Sequence, residues 1–201
     1  MKEIRKLDLQ FRTEENEDNK MEIKGYAVVF NSPETYGYTE VIDSKALDNA
    51  DMSDVVLRYN HNDTFMVLAR TRNKSLNLNV DEKGLFMDAT LQNDITEHRN
   101  IYNAIKSGLI DKQSFAFTID EDEYDYDTDT RTITKIGKLY DVSVVDQPFY
   151  NATDVSLASK NDSFMERRAE LRKKHEQQLE EQKKADELRK AKDELLNRLN
   201  G

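Results

Sequence analysis

Apolar and polar residues alternate along many short stretches of the first 145 positions. Alternation with a period of two places one set of side chains on each face of a β-strand. The pattern is strictest where Leu76, Leu78 and Val80 share one face. Strands are predicted on this basis at residues 4–11, 22–30, 55–59, 65–69, 75–80, 85–91, 113–119, 132–136 and 139–145.

One helix interrupts the series of strands. Asp94 and Glu97 have the spacing of a capping box at a helix start. Ile101 and Ile105 lie one turn apart, and Gly108 stands where helices commonly end. Many short strands with one well-marked helix predict a mainly β fold, built as an antiparallel barrel or sandwich.

Three polar segments are predicted to be hairpin connections between strands. They are residues 14–20, 81–84 and 120–130. The last is acidic, and Asp125, Asp127 and Asp129 have the first three spacings of an EF-hand calcium loop. Thr130 and Ile136, however, stand where such a loop needs glycine and glutamate. An exposed hairpin loop is the favoured interpretation, and no metal site or cofactor is expected.

The composition changes near residue 161. No glycine or proline follows until Gly201, and Ser163 and Glu166 have capping-box spacing. Opposite charges recur four residues apart, as at Glu180 and Lys184, which supports an exposed helix. Its apolar stripe is thin, so the helix needs a partner to bury it. The predicted organisation is a domain over residues 1–160 and a charged helical tail over residues 161–201.

Charge limits the range of functions. Residues 163–201 hold 11 basic and 9 acidic residues, which leaves 19 basic and 31 acidic residues and a net charge of −12 for residues 1–162. Binding to nucleic acid needs a basic surface, so this partner class is not expected. The chain has no cysteine, which excludes thiol chemistry. No apolar run suits a signal peptide or a membrane span, so a soluble protein is expected.

The candidate chemistry begins with three histidines. His61 ends a predicted strand where it meets a loop, His98 lies on the predicted helix and is expected to be exposed, and His175 lies in the tail. A histidine at such a strand end is by itself more often a turn residue than a catalyst. Ser114 faces the opposite way from Phe115 in its strand, on a small and polar face that would suit a substrate channel.

Two carboxylates are candidates to act with this histidine. Asp141 lies within an apolar strand, where an unpaired carboxylate is costly. Asp146 lies at the end of that strand, where a turn explains it. The residues favour Asp141 and leave Asp146 as the alternative.

Several motifs, in this order, resemble the prohead maturation proteases of tailed bacteriophages. They are the opening strand at residues 25–30, the histidine motif at 60–62, the segments at 67–71 and 82–85, the nucleophile motif at 105–117 and the acidic strand at 139–145. The resemblance covers about residues 25–155. The sequence departs from the family where Ala69 replaces a common glycine, where Gln113 replaces a small residue, and where Asp141 replaces a common glutamate.

The resemblance implies a fold like that of herpesvirus assemblin, an antiparallel β-barrel, with a charged helix added at the C-terminal side. It implies a serine endopeptidase with Ser114 as nucleophile, His61 as general base and Asp141 as the third member. The expected substrates are scaffold segments, the prodomain of the major capsid protein and the protease itself. Cleavage would take place inside the assembling prohead, in the cytoplasm of a bacterial host. Self-association through the tail or the barrel is also expected, without nucleic-acid or membrane partners.

Two other functions remain open at this stage. The first is a scaffold or capsid-assembly protein on the same fold without proteolysis. The second is a carbohydrate- or metal-binding β-domain with a helical oligomerisation tail. Labelling of Ser114 by a serine-directed probe would separate the enzyme from both.

Overall fold

The computed structural model describes residues 2–7, 12–15, 21–35, 37–146 and 155–199. The chain divides into two compact units, Met1–Asn151 and Ala152–Gly201. The strands are β1 Lys2–Leu7, β2 Arg12–Glu15, β3 Met21–Val29, β4 Glu34–Thr35, β5 Thr39–Ile42, β6 Val56–Tyr59, β7 Ala69–Arg70, β8 Leu76–Val80, β9 Gly84–Leu91, β10 Lys112–Asp125 and β11 Thr130–Val145. The helices are α1 Thr96–Lys106 and α2 Val155–Leu199, with a short 3₁₀ turn at Thr71–Asn73.

The strands of the first unit form two sheets. A seven-stranded sheet has the order β1-β10-β11-β5-β4, and β6 also pairs with β11 and carries β7. A four-stranded sheet has the order β2-β3-β9-β8. Buried residues of both sheets and of α1 form one hydrophobic cluster. The predicted mainly β fold with a C-terminal charged helix is confirmed. Within the described residues the sheets do not close into a barrel, so the assemblin-like barrel stays a prediction.

Strand β9 shows why the alternation was informative. Leu85, Met87 and Ala89 are buried because they point into the core, while β3 and β8 pair on its two sides. Gly84 begins the strand at φ +157°, and a Cβ there would lie 2.0 Å from the carbonyl oxygen of Val28. Only glycine permits this close approach of the two backbones.

Several sequence-based boundaries were wrong. The first strand pairs with β10, not with β3, so the first two predicted strands do not form a hairpin with each other. Residues 12–15 instead form β2 beside β3, residues 65–69 contribute only the start of β7, and β4 and β5 were missed. Residues 8–11 and 16–20 lie outside the described residues.

The helix boundaries also differ from the prediction. Helix α1 begins after Ile95, and no side chain caps it, so Asp94 is not its N-cap. Helix α2 begins at Val155 and runs through Ser163, which therefore lies inside the helix. Glu180 and Lys184 form the expected ion pair at 3.0 Å. Among the described helices, none combines the length and the apolarity needed to cross a membrane.

Candidate active site

Three adjacent strands bring polar side chains to one face of the seven-stranded sheet. Ser114 on β10 lies opposite Ser143 on β11 in the antiparallel register. Asp141 lies two residues before Ser143 and therefore shares its face. Strand β6 pairs with β11 on the other side, and His61 lies two residues after its end.

A strained turn places His61 over this face. Asn60 and His61 both adopt the left-handed conformation, at φ +52° and +53°, which asparagine and histidine tolerate better than most residues. The Asn60 amide donates to the carbonyl oxygen of Val144 at 3.0 Å, and the His61 amide donates to Ser143 Oγ at 3.3 Å. The Asp146 amide donates to Asn60 Oδ1 at 3.2 Å. These bonds hold a backbone conformation that is otherwise unfavourable.

The three predicted residues meet in one chain of hydrogen bonds. His61 Nε2 lies 2.6 Å from Ser114 Oγ, and His61 Nδ1 is hydrogen-bonded to Asp141 Oδ1. Ser143 Oγ donates to the same Asp141 oxygen at 3.0 Å and lies 3.2 Å from His61 Nδ1. Lys2 Nζ on β1 lies 3.0 Å from Asp141 Oδ2. Both oxygens of the buried carboxylate therefore have partners.

The ionisation of Asp141 fixes the direction of these bonds. Burial opposes its charge, but the hydrogen bond and charge of His61 and the charge of Lys2 outweigh burial and hold the pKa of this carboxyl below its usual value. An ionised carboxylate only accepts hydrogen bonds, so His61 Nδ1 must donate. In the neutral imidazole, Nε2 is then an acceptor that faces the Ser114 hydroxyl.

Comparisons with known proteins identify the family of this chain. The model of the caudovirus prohead serine protease family matches residues 7–168. The chain belongs to this family. Among solved structures, the capsid assembly protease gp21 of bacteriophage T4 is similar to it, with 11% identity, a TM-score of 0.43, and coverage of 73% of this chain and 99% of that one. No curated protein matches the sequence.

The surroundings of Ser114 and Asp146 differ from those expected from the sequence of this prohead protease family member. Ser114 is fully buried, not open to a channel, and its Oγ donates to the carbonyl oxygen of Arg5 on the neighbouring strand β1. Asp146 accepts a hydrogen bond from the Tyr59 hydroxyl at 2.8 Å, and it is Asp141 that bonds to His61. The alternative carboxylate therefore belongs to the turn.

His98 was expected to be exposed, and this was wrong. It is 3% exposed, its Nδ1 accepts the Gln92 amide at 3.0 Å, and its Nε2 lies 3.0 Å from the carbonyl oxygen of Val67. The imidazole thus links the start of α1 to a neighbouring loop. His175 lies on α2, in the second unit.

Sequence reasoning missed three polar residues near the serine. Ser143 could have been found, because it lies two residues from Asp141 in an alternating strand and must share its face. Lys2 and Arg5 carry no such signal, because their position depends on the pairing of β1 with β10 across more than half of the chain.

The hairpin turn between β10 and β11 covers only residues 126–129, because residues 120–125 of the predicted acidic loop extend β10. The carboxylate of Asp125 accepts hydrogen bonds from the Asp127 amide at 2.8 Å and from the Thr128 hydroxyl at 2.9 Å. Among the described residues, no group of three or more histidine, aspartate and glutamate side chains has the arrangement of a metal site.

Proposed function

We propose that this chain is a serine endopeptidase in which Ser114 is the nucleophile, His61 the general base and Asp141 the group that orients and charges the imidazole. The observation that carries the proposal is the continuous chain of hydrogen bonds from Asp141 through His61 to Ser114. Membership of the prohead serine protease family supports a peptidase of capsid maturation.

The proposed mechanism follows from the proton positions. A serine hydroxyl is a weak nucleophile at neutral pH, so His61 Nε2 accepts its proton as Ser114 Oγ attacks the carbonyl carbon of a peptide bond. The imidazolium then donates that proton to the leaving amine, and an acyl-enzyme ester remains. Water activated by the same nitrogen hydrolyses the ester. Asp141 keeps Nδ1 protonated throughout and stabilises the imidazolium.

The proposed substrates are the scaffold segments and the prodomain of the major capsid protein, together with the protease itself, inside the assembling prohead of a bacterial host. We also propose that the two sheets belong to an antiparallel β-barrel like that of assemblin. The proposed division of labour gives catalysis to the first unit and recruitment to the charged helix of the second, which also provides a route to self-association.

The test is labelling with a serine-directed phosphonate, followed by peptide mapping, and cleavage of a co-expressed capsid protein followed by mass spectrometry. We expect the label at Ser114 and discrete capsid-protein fragments. Ser114→Ala should lose both while keeping its melting temperature. Undiminished cleavage by the Ser114→Ala variant would refute the nucleophile, and a folded wild type without label or cleavage would favour a non-catalytic scaffold protein.

A further inference from the structure

Strand β1 lies directly beside Ser114. It is the edge strand of its sheet and pairs antiparallel with β10, with Lys6 opposite Ser114 and Arg5 opposite Phe115. Ser114 is 0% exposed, and its Oγ donates to the carbonyl oxygen of Arg5 at 2.7 Å. A second peptide cannot reach this hydroxyl while β1 is in place.

The backbone between Arg5 and Lys6 occupies the space that a scissile peptide bond needs. Ser114 has one proton and two acceptors for it, the Arg5 carbonyl oxygen at 2.7 Å and His61 Nε2 at 2.6 Å. An extended peptide that adds to the edge of a sheet is a common way of binding chain segments. Strand β1 therefore has the position of a substrate strand on β10.

The strand register also shows where the side chain of the residue before the peptide bond between Arg5 and Lys6 lies. Residues opposite each other in an antiparallel pair share a face, so Arg5 lies on the Phe115 face, away from the face of Ser114 and His61. In a peptide bound at this position, the residue immediately before the bond beside Ser114 would therefore point its side chain to the Phe115 face of the sheet.

The pocket that holds Arg5 is acidic. The guanidinium makes two hydrogen bonds to the Glu40 carboxylate, one of them from Nη2 to Oε2 at 2.8 Å. The Phe117 ring centroid lies 5.8 Å from Arg5 Cζ, and the Tyr38 hydroxyl donates to Glu40 at 3.3 Å. Burial and the nearby charge of Glu40 raise the pKa of Tyr38 to about 12, so this hydroxyl stays a donor at neutral pH.

The charge of the pocket selects for a cation. Besides Arg5, its wall holds Arg131, which lies 3.3 Å from Glu40 and 2.7 Å from Asp122. Strand β1 brings Arg5 together with Glu3, whose carboxylate lies 2.5 Å from Arg5 Nη2 and 3.7 Å from Arg131 Nη1. Without β1, Glu40 and Asp122 face only Arg131, which leaves one net negative charge. Glu40 is 3% exposed, and a buried carboxylate is costly unless cations and hydrogen bonds compensate it.

We infer that substrates displace β1 and bind to β10 as an antiparallel strand, with an arginine or lysine immediately before the scissile bond and its side chain paired with Glu40. This inference rests on the proposed function of Ser114. In the covalent step, Ser114 Oγ bonds to the carbonyl carbon of the basic residue and its carbon–nitrogen bond breaks. The serine proton reaches the amine through His61, and water then releases the new carboxylate.

The first experiment uses the full chain and four matched peptides that carry residues 2–7 of this protein within one fixed flanking sequence. The arginine is kept or replaced by lysine, glutamine or glutamate, and mass spectrometry locates the cut. We expect kcat/KM for the arginine and lysine peptides to exceed that of the glutamine peptide by roughly 10- to 100-fold, because a buried charged hydrogen bond is lost. Cleavage after the basic residue supports the inference; equal rates, a preference for glutamate, or cleavage elsewhere overturns it.

The second experiment tests the pocket with Glu40→Gln and its control Glu121→Gln, an exposed residue of the same sheet that pairs with Lys135. Glu40→Gln should bring the ratio of kcat/KM for the arginine and glutamine peptides close to one, whereas Glu121→Gln should leave this ratio unchanged. If Glu40→Gln fails to fold, the peptide series on the wild type decides alone. A folded Glu40→Gln variant that keeps the full preference overturns the pocket.

The third experiment tests displacement of β1. As part of the same chain, β1 competes with substrate at an effective concentration on the order of millimolar. Arg5→Gln should weaken this competitor and raise the rate of phosphonate labelling at Ser114 several-fold, whereas an unchanged rate overturns displacement. Ser114-dependent labelling without any preference for a basic residue refutes only this inference. Absence of all labelling and cleavage in every variant refutes the proposed function as well.

Discussion

Replacing Asp141 by asparagine tests the proposed triad with almost no change of shape. The asparagine oxygen or nitrogen can occupy the position of Asp141 Oδ1, but its NH₂ group can donate where the carboxylate only accepts. Donation to His61 Nδ1 favours the imidazole form that carries its proton on Nε2. That form cannot accept the proton of Ser114, whose Oγ lies 2.6 Å away.

The expected loss is large. An equivalent change in a well-studied triad lowers the rate by about 10⁴, which corresponds to about 5 kcal/mol of transition-state stabilisation. The imidazolium also loses the adjacent negative charge of Asp141, which is 1% exposed and therefore poorly replaced by water. We expect kcat to fall by about this factor, with a smaller change in KM, because the residue does not contact β1 at the backbone position proposed for substrate.

The assay is peptide cleavage by the purified full chain, with the melting temperature measured in parallel. Asp146→Asn is the matched control, because Asp146 accepts from Tyr59 at the end of the same strand. Its rate should stay within about twofold of wild type, since exposed hydrogen bonds contribute little. The assignment would be refuted if Asp146→Asn lost more activity than Asp141→Asn.

The pH dependence of stability gives a second readout, which compares Asp141→Asn with the wild type. The pKa of Asp141 is held below its usual value, so its ionised form stabilises the fold above the unfolded-state pKa of about 3.9. That contribution disappears as the pH falls through the lowered folded-state pKa. Asp141→Asn should therefore lose less stability than wild type on acidification below about pH 4. An identical acid profile for the two proteins would contradict the pKa direction.

Two further predictions concern the rest of the chain. Gln113 is 1% exposed, and its carboxamide has no hydrogen-bond partner among the described residues. Gln113→Met should therefore raise the free energy of unfolding, measured in urea, by about 1–3 kcal/mol. The control Gln92→Met, at an exposed position, should leave that free energy unchanged, and a lower stability of Gln113→Met would contradict the reasoning. A chain ending at Asn151 keeps the whole first unit and should melt cooperatively and cleave peptides but fail to enter proheads; an unfolded truncated chain would show that the second unit is needed for stability.

The elements that the sequence predicted well are those whose alternation matches burial on one face. Strands β8 and β9 fall within a residue of their predicted bounds: β9 buries Leu85, Met87, Ala89 and Leu91 in alternation, whereas β8 alternates in sequence but buries only Leu76. Strands β4 and β5 have only two and four residues, which is too short for a period to be recognised. The two predicted strands at 132–136 and 139–145 are one strand, because Gly137 is not a break. It permits close approach, since a Cβ there would lie 2.3 Å from Asp120 Oδ1.

The histidines show that a residue and its neighbours in sequence do not always predict whether its side chain is buried. His61 was found because it follows a strand and precedes serine and aspartate motifs in a recognisable order. His98 was misjudged because charged neighbours on α1 suggested an exposed face, whereas its two ring nitrogens satisfy backbone groups of Gln92 and Val67. Those partners lie 6 and 31 residues away, and a local pattern does not report them.

The position of strand β1 beside Ser114 is even harder to predict from local sequence patterns. Alternation in residues 2–7 fixes which side chains share a face, but not which strand lies beside them, and β1 pairs with β10 more than 100 residues away. The consequence for the site is chemical. Through Lys2 this strand helps to keep Asp141 ionised, and through the Arg5 carbonyl it competes with His61 for the serine proton. A substrate bound as proposed would place its own carbonyl where the Arg5 carbonyl lies, and it would support the ionised Asp141 only if it carried a cation at the position of Lys2. Without such a cation, the hydrogen bonds from His61 and Ser143, which lie on the same face as Ser114, would still hold the Asp141 carboxylate.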